Sequence, residues 1–240
     1  STALDSFLRL SNHSPANYSC FIKYHDKFII SNSPELYLKV NNNVVTSQPI
    51  KGTSPRSNNP ITDYFNKKYL TFSSKEKAEN LMIVDLVRND LSLFSKAGSV
   101  AVDKLFKVDS YKSYHHLSTI IKSDLLADKN LSDIIKSSFP PASMTGTPKI
   151  SAVNVANSLE NIKRGIYSGA IGFINGKKNA NLSVVIRTLI IENDKFEFQV
   201  GGAITIDSIT DKEIEETYVK AKGICKILGI KNLSNVGNKI

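Results

Sequence analysis

Two stretches of the sequence carry glutamates three positions apart. The first pair is Glu76 and Glu79, within KEKAENLMIVDL, and the second is Glu213 and Glu216, within DKEIEETYVKAKG. On a helix, residues at this spacing share a face, so each pair presents two carboxylates in one direction. Mg²⁺ prefers hard oxygen ligands and usually takes one or two protein carboxylates directly. The spacing is compatible with a magnesium site, and equally with a solvated helix face balanced by nearby lysines.

A lysine in a short Gly- and Pro-containing segment is the second candidate for chemistry. Lys51 lies in PIKGTSPR (49–56), which follows a strand-like stretch and is predicted to form a short turn. Gly52 permits close approach of the backbone to a ligand. A lysine held in such a turn can act as a covalent nucleophile. Taken alone, Lys51 is more typical of an ordinary surface lysine.

Two loops could bind an anion through backbone N–H groups. FPPASMTGTPK (139–149) carries hydroxyls and a glycine and runs into a predicted helix, and VGGA (200–203) follows a predicted strand. Helix starts and glycine-containing turns can point several N–H groups at one anion. By itself each loop is equally typical of a plain turn.

The hydropathy pattern indicates which elements position these residues. Alternating stretches predict strands, and apolar residues at helical spacing predict helices. Blocks of strands broken by single helices predict an α+β fold with mostly antiparallel sheet. The expected apolar faces contain Ala78, Leu81, Met82 and Leu86 in one helix, and Ile214, Tyr218, Ala221, Cys225 and Leu228 in another. The predicted strands are Tyr18–Tyr24, Phe28–Ser31, Leu36–Val40, Val44–Ser47, Ile166–Ile174, Leu182–Glu192 and Phe196–Val200, and the predicted helices are 75–94, 148–163 and 211–228.

The bulk properties fit one substantial globular domain, or at most two small ones, and the expectation is a single domain over residues 1–240. The chain has 31 Lys and Arg against 22 Asp and Glu, a net charge of +9, but the lysines are scattered, so no nucleic acid is expected as a partner. No apolar run is long enough for a membrane span, and no signal peptide is visible. With only Cys20 and Cys225, a disulfide framework is excluded, and a cytoplasmic location is expected.

Taken together, the motifs resemble those of the chorismate-utilising enzymes. They occur in family order over about residues 5–228, and imply an anthranilate-synthase-like fold with mostly antiparallel sheets flanked by helices. Part of the usual N-terminal region is expected to be missing, so the chain is either a short enzyme or a fragment. The matching segments are SNSPELYL (31–38), PIKGTSPR (49–56), KAENLMIVDLVRNDL (77–91), HHLSTI (115–120), FPPASMTGTPK (139–149), RGIYSGAIGF (164–173), VVIRTL (184–189) and GGAITIDS with KEIEETYVKAKGI (201–224).

The resemblance implies a role for each matching position. Glu79 and Glu216 resemble direct Mg²⁺ ligands, with Glu76 and Glu213 supporting them through water. Glu35, which must then be protonated, resembles the general acid that helps the C4 hydroxyl of chorismate to leave. The positions that resemble substrate-binding residues are Gly52, Thr53, His116, Ser143, Tyr167, Arg187, Gly201, Gly202 and Lys220. A one-residue shift in the match would replace His116 by His115 as the histidine that packs on the ring.

Lys51 distinguishes branches of this family. Anthranilate, isochorismate and salicylate enzymes usually carry Ala there, whereas aminodeoxychorismate synthases of the best-studied type use a lysine as a covalent nucleophile. The resemblance is therefore closest to component I of the aminodeoxychorismate synthases, which make 4-amino-4-deoxychorismate for p-aminobenzoate and folate. Ammonia would come from a separate glutamine amidotransferase subunit. The alternatives are an anthranilate synthase component I and a truncated, non-catalytic subunit that binds chorismate or the glutaminase.

Overall fold

The computed structural model describes residues 2–175, 179–193 and 195–230. Contacts divide the chain into two compact units, each assembled from separate stretches of sequence. Unit 1 contains residues 1–34, 161–167 and 185–240, and unit 2 contains residues 35–160 and 168–184. The single domain expected over residues 1–240 stays a prediction. None of the helices in the described ranges is both long and apolar enough to cross a membrane.

Unit 1 is built on a four-stranded antiparallel sheet in the order β1–β2–β10–β11, with two helices. A capping box between Thr2 and Asp5 starts its first helix. The core lies where both helices meet the two inner strands, and its buried members are Leu10, Ile30, Leu189, Ile224 and Ile227. The elements are α1 (Ala3–His13), β1 (Tyr18–Tyr24), β2 (Lys27–Ser33), β10 (Thr188–Glu192), β11 (Lys195–Phe198) and α6 (Thr210–Ile227).

Unit 2 is built on a seven-stranded antiparallel sheet with four α-helices among its described residues. Its path is β5–β7–β4–β3–β9–β8, with β6 along the other edge of β7. The α+β fold with mostly antiparallel sheets is therefore confirmed. The elements are β3 (Leu36–Asn41), β4 (Val44–Gln48), β5 (Ile50–Pro55), α2 (Pro60–Phe72), α3 (Ser74–Ser92), β6 (Ala101–Ser110), β7 (Tyr114–Asp124), α4 (Leu131–Ser138), a 3-10 helix (Ala142–Met144), α5 (Lys149–Leu159), β8 (Ala170–Asn175) and β9 (Asn179–Val184).

The segment predicted as a turn at 49–56 is instead the strand β5. Gly and Pro favour turns locally, but here β5 pairs with β7, which lies some sixty residues later in the chain, with Thr53 opposite His116. The register shifts between Ile50 and Thr53, and Gly52 lies inside this irregularity with φ of +94°. The glycine therefore serves a bulge rather than a chain reversal.

The strand predicted over 182–192 is also wrong as one element. It is split into β9 and β10, which belong to different sheets. The break falls at 185–187, where the apolar run continues and hydropathy gives no signal. Arg187 takes the left-handed conformation there, with φ of +50°, and ends the extended run.

The buried face of α3 differs from the one predicted. Leu81 is 45% exposed and Ala78 is also exposed, whereas Leu86 is buried as expected. The buried side chains of α3 are Asn80, Ile83, Val84, Leu86, Val87, Asp90 and Leu91. In α6 the expected Ala221 and Cys225 are buried, but Ile214 and Tyr218 are more than 40% exposed. Runs such as LMIVDL contain apolar residues around the whole helix, so periodicity alone does not select the inward face.

Candidate functional site

The first glutamate pair lies on the inward side of α3. Glu76 lies one turn before the buried Asn80, and Glu79 lies one turn before the buried Ile83, so the pair extends the buried face toward the start of the helix. Neither is fully exposed, and the side chain of Glu79 is 20% exposed and lies 3.8 Å from Lys75. A solvated helix face would place both carboxylates away from the packed side. The position therefore favours a functional pair.

Gly52 brings the lysine-bearing strand against this pair. A Cβ atom at Gly52 would lie 2.8 Å from Oε2 of Glu76, 3.2 Å from Cβ of Leu117 and 3.3 Å from Cδ2 of Leu70. Contacts under 3.0 Å to a Cβ essentially never occur, so any side chain here would displace the carboxylate. The glycine is required both by its positive φ and by this close approach.

Glu35 and Lys51 both lie just beyond the Leu36–Gln48 pair that joins β3 and β4. Leu36 pairs with Gln48, so Glu35 comes just before this pair and Lys51 comes three residues after Gln48, at the start of β5. Glu35 is buried, 5% exposed, and its carbonyl accepts a hydrogen bond from the N–H of Val184. Lys51 is half-buried. β3 is hydrogen-bonded to β4, whereas β5, which carries Lys51, is bonded to β7.

The two adjacent histidines on β7 have different surroundings. Nδ1 of His116 lies 3.0 Å from Oγ1 of Thr53, so this pair joins two of the predicted substrate-binding residues. Its ring also packs near Tyr111 and Tyr114. His115 instead bonds through Nδ1 to Ser110 and through Nε2 to Asp63, and both its ring nitrogens are therefore engaged in the fold.

The carboxylate of Asp63 holds His115 in place through a hydrogen bond to its Nε2. Hydrogen bonds from Arg56, from the N–H of Ser57 and from His115 hold the pKa of its carboxyl well below its usual range. The carboxylate therefore ties α2 to β5 and to β7 at once. This arrangement favours His116 over His115 as the substrate-facing histidine.

Ser143 lies in the 3-10 helix that follows α4, and it has a buried hydroxyl. Its Oγ is inaccessible to solvent and has no hydrogen-bond partner within the part of the chain that the structure describes. Buried polar groups are nearly always bonded, and the exceptions often mark a ligand or water position. The 3-10 helix packs against α3, the helix that carries Glu76 and Glu79.

A buried ion pair fixes the ends of this Ser143 loop, which we define as residues 139–148. Nζ of Lys149 lies 2.5 Å from Oδ2 of Asp90, and it donates to the carbonyls of Ser138 at 2.8 Å and Pro140 at 3.0 Å. Burial raises the pKa of Asp90 to about 6, against the opposing effect of Lys149. Both residues lie within matching motifs, but the motifs assign no role to either. The sequence does show a lysine in the first turn of a predicted helix, where the helix dipole disfavours a positive charge.

The second glutamate pair lies in unit 1, at the start of α6. Oε1 of Glu213 accepts a hydrogen bond of 2.8 Å from Oγ of Ser208. A Cβ atom at Gly202 would lie 3.4 Å from Oε2 of Glu213, in ordinary contact. The VGGA turn and this carboxylate are therefore neighbours.

Lys220 joins the same turn to the second carboxylate of the pair. Its Nζ lies 2.7 Å from Oε1 of Glu216 and donates to the carbonyl of Gly201 at 2.9 Å. A Cβ atom at Gly201 would lie 2.9 Å from the hydroxyl of Tyr167, so the glycine lets that hydroxyl reach the backbone. Unit 1 thus gathers Tyr167, Gly201, Gly202, Glu213, Glu216 and Lys220 in one region.

Arg187 is held in place by its backbone. Its carbonyl accepts a hydrogen bond of 3.2 Å from the N–H of Asn32. The backbone of Arg187 has a positive φ, which is uncommon outside glycine, and such backbone outliers cluster at binding and catalytic sites. Arg187 is one of the positions that resemble substrate-binding residues, and that assignment stays a prediction.

Carboxylate oxygens are donors of the kind that a magnesium ion takes. One carboxylate of each pair lies against a glycine, Glu76 against Gly52 within unit 2 and Glu213 against Gly202 within unit 1. Mg²⁺ commonly takes one or two direct carboxylates and keeps several waters. Among the described residues, no group of three or more acidic, histidine or cysteine side chains is placed to hold a metal ion, so the four-glutamate magnesium site stays a prediction.

The relatives of this chain are chorismate enzymes. It is 38% identical to aminodeoxychorismate synthase component 1 of Escherichia coli (strain K12) over 223 residues, which cover 93% of this chain and 49% of that protein. It is 37% identical to anthranilate synthase component 1 of Acetivibrio thermocellus over 221 residues, which cover 92% of this chain and 44% of that protein. The chain spans about half the length, or less, of the curated relatives that it matches.

Solved structures and the family profile agree with these relatives. The crystal structure of anthranilate synthase component I from Streptococcus pneumoniae TIGR4 superposes with a TM-score of 0.84 at 35% identity, over 93% of this chain and 49% of that one. The profile of the chorismate binding enzymes matches residues 1–226. The sequence motifs, the fold and the two carboxylate pairs therefore have one explanation, which is that this chain belongs to the chorismate binding enzyme family.

Proposed function

We propose that this protein aminates chorismate with ammonia to give 4-amino-4-deoxychorismate, as component I of an aminodeoxychorismate synthase. The observation that carries the proposal is the contact between Gly52 and the carboxylate of Glu76, which sets the Lys51 strand against a carboxylate pair of magnesium type. The similarity to the E. coli protein supports the same reaction. The product would supply p-aminobenzoate for folate.

In the proposed mechanism, Nζ of Lys51 attacks C2 of the ring while the double bonds shift and the C4 hydroxyl departs. Glu35 gives the proton with which that hydroxyl leaves as water. Ammonia then attacks C4, the bonds shift back, and the bond from C2 to the lysine nitrogen breaks. Two such displacements put nitrogen at C4, para to the ring carboxylate. Glu35 is buried, which keeps the proposed proton donor away from bulk water.

The remaining candidates would hold the substrate. Glu79 and Glu216, supported by Glu76 and Glu213, would bind Mg²⁺, whose positive charge would neutralise the ring carboxylate of chorismate. Arg187 and Tyr167 would bind the enolpyruvyl carboxylate, for which the arginine fork is suited. The other proposed substrate contacts are Gly52, Thr53, His116, Ser143, Gly201, Gly202 and Lys220.

Ammonia would come from a separate glutamine amidotransferase. The described residues offer no exposed cysteine for that chemistry, since Cys225 is buried and Cys20 is half-buried with its thiol pKa raised by burial. The E. coli relative is named a component 1, which fits a reaction divided between two components.

The test is to incubate the protein with chorismate, Mg²⁺ and ammonium, add an aminodeoxychorismate lyase, and identify the aromatic amine. We expect p-aminobenzoate from the wild type and none from Lys51→Ala. Lys39→Ala, an exposed lysine on β3, is the matched control and should keep full activity. Without ammonia, intact mass spectrometry should show an adduct that maps to Lys51.

Anthranilate synthase is the second candidate, because relatives and a solved structure with that name match at similar identity. It would form the ortho amine without a lyase and would not depend on the Lys51 amine. Anthranilate as product, or an unimpaired Lys51→Ala variant, would therefore overturn the proposal. Binding of chorismate without turnover would instead indicate a non-catalytic subunit.

A further inference from the structure

We propose that Lys149 is a positioning residue for the substrate site, and that it acts by clamping both ends of the Ser143 loop onto α3 through Asp90. The inference rests on the proposed function, because the loop matters to the reaction only if Ser143 binds chorismate. It adds two residues, Lys149 and Asp90, to which no role has been given above in binding or catalysis.

The ammonium group of Lys149 has a complete set of partners. An ammonium carries three N–H donors, and here three acceptors surround it: Asp90, the carbonyl of Ser138 and the carbonyl of Pro140. The side chains of Lys149 and Asp90 are 15% and 9% exposed. An ion pair this buried is held only where its geometry is good and its remaining hydrogen bonds are made.

The position of Lys149 is unfavourable for the helix that it begins. It is the first residue of α5, which begins after Pro148 and has no side-chain cap. A cation near a helix N-terminus is disfavoured by the helix dipole, and carboxylates are preferred there. The lysine is therefore explained by what its side chain holds rather than by the helix that it starts.

What it holds is the Ser143 loop, between the end of α4 and the start of α5. Ser138 and Pro140 lie at the near end of the loop, and Lys149 itself closes the far end. Both carbonyls accept from the Lys149 ammonium, which pairs with Asp90, so the eight positions between Pro140 and Lys149 are held at both ends to the helix that carries Glu76 and Glu79. The buried hydroxyl of Ser143 lies near the middle of this loop.

The clamp also reaches the strand that follows Glu35. The hydroxyl of Tyr37, on β3, lies 2.7 Å from Oγ of Ser138. Since Oγ of Ser138 donates to the carbonyl of Ile134, the tyrosine is the donor in this bond. Burial raises the pKa of Tyr37 to about 12, which keeps that proton in place. One network therefore ties together the start of β3, the Ser143 loop and α3.

The test separates a clamp from a merely structural ion pair by comparing Lys149→Met with Lys149→Met/Asp90→Leu. The single variant leaves a buried carboxylate without its cation, so its Tm should fall. The double variant removes both charges and should regain most of that Tm, because apolar pairs often replace buried ion pairs at little cost. Neither variant can donate to the carbonyls of Ser138 and Pro140.

We expect the KM for chorismate to rise by about tenfold in both variants, with kcat changed less, which corresponds to about 1.4 kcal/mol of lost binding. Amide hydrogen exchange in peptides from 139–148 should also speed up in both. Lys122→Met is the control. It also removes a lysine from an ion pair, since Lys122 on β7 lies 3.0 Å from Asp103 on β6, but neither residue belongs to the Ser143 loop. It should match the wild type in KM and in loop exchange.

If the double variant regains the wild-type KM and loop exchange together with its Tm, the pair is only structural and the inference is overturned. If the wild type neither binds nor aminates chorismate, the proposed function fails. Hydrogen exchange alone then tests whether Lys149 holds the Ser143 loop in place. Unchanged exchange over 139–148 in both variants would overturn it in that case.

Discussion

Replacing Gly52 by alanine tests whether a glycine is needed beside the Glu76 carboxylate. Two costs are expected. The backbone has φ of +94°, which costs an L residue about 1 kcal/mol. The new methyl group would also lie 2.8 Å from Oε2 of Glu76, which can swing aside, and 3.2 Å from Cβ of Leu117, and relieving this crowding costs about 1 kcal/mol more. At about 3 °C per kcal/mol for a chain of this size, Tm should fall by about 6 °C.

Gly98→Ala is the matched control. Gly98 also has a positive φ, of +75°, but a Cβ atom there would meet nothing within 4 Å. Its Tm should therefore fall by only about 3 °C, which is the backbone cost alone. The difference between the two variants isolates the contact with Glu76 and Leu117.

The functional consequence is a weaker response to magnesium. A displaced Glu76 would support the neighbouring ligand poorly, and losing such support typically lowers metal affinity by about tenfold or more. We expect the Mg²⁺ concentration for half-maximal amination to rise by that factor in Gly52→Ala and to stay unchanged in Gly98→Ala. Equal Tm values and equal Mg²⁺ responses in the two variants would refute the reasoning.

Three further outcomes are expected. Lys220→Met should raise the KM for chorismate by about tenfold, while its exposed ion pair means that it should lower the free energy of unfolding by less than about 1 kcal/mol. Lys27→Met removes an ion pair of similar exposure and is the control, so its KM should stay unchanged and its loss of stability should also be less than about 1 kcal/mol. His116→Gln should weaken chorismate binding in calorimetry, and His115→Gln should mainly lower Tm, so the reverse result would assign the ring contact to His115. Because the pKa of Asp90 is raised to about 6 in the folded protein, its contribution to stability is present at low pH and is lost as pH rises through about 6. In denaturant unfolding, the free energy of unfolding of the wild type should therefore rise relative to that of Asp90→Asn as pH falls from 6 to 4. A difference between the two proteins that does not depend on pH would contradict the raised pKa of Asp90.

Local patterns predicted the regular parts of the fold well. β1 spans the predicted residues Tyr18–Tyr24, and the last helix agrees to within a residue at each end. These elements have an apolar period that matches one secondary structure, so the sequence alone is sufficient. In unit 1, Tyr167 and Lys220 both contact Gly201, and the binding roles that the motifs imply for these residues stay a prediction.

The failures arise where distant pairing overrides local preference. Gly52 and its neighbouring prolines favour a turn, but hydrogen bonds to β7 make the segment a strand. The apolar run through Val185 hides the break that Arg187 introduces. Asp90 and Lys149 lie 59 positions apart, and only the folded chain shows that they meet. A buried polar contact of this kind leaves no periodic signal.

The pairing of β2 with β10 has a consequence for the chain as it is being made. Ser31 and Thr188, which bond across these strands, are 157 positions apart. At a synthesis rate of about 5–20 residues per second, β2 would emerge roughly 8–30 seconds before its partner exists. During that interval the β1–β2 hairpin has one unsatisfied edge, the kind of surface on which nascent chains stick to one another. Slow strand closure, rather than the marginal stability of any one contact, is then the step at which a cell would most need a chaperone for this protein.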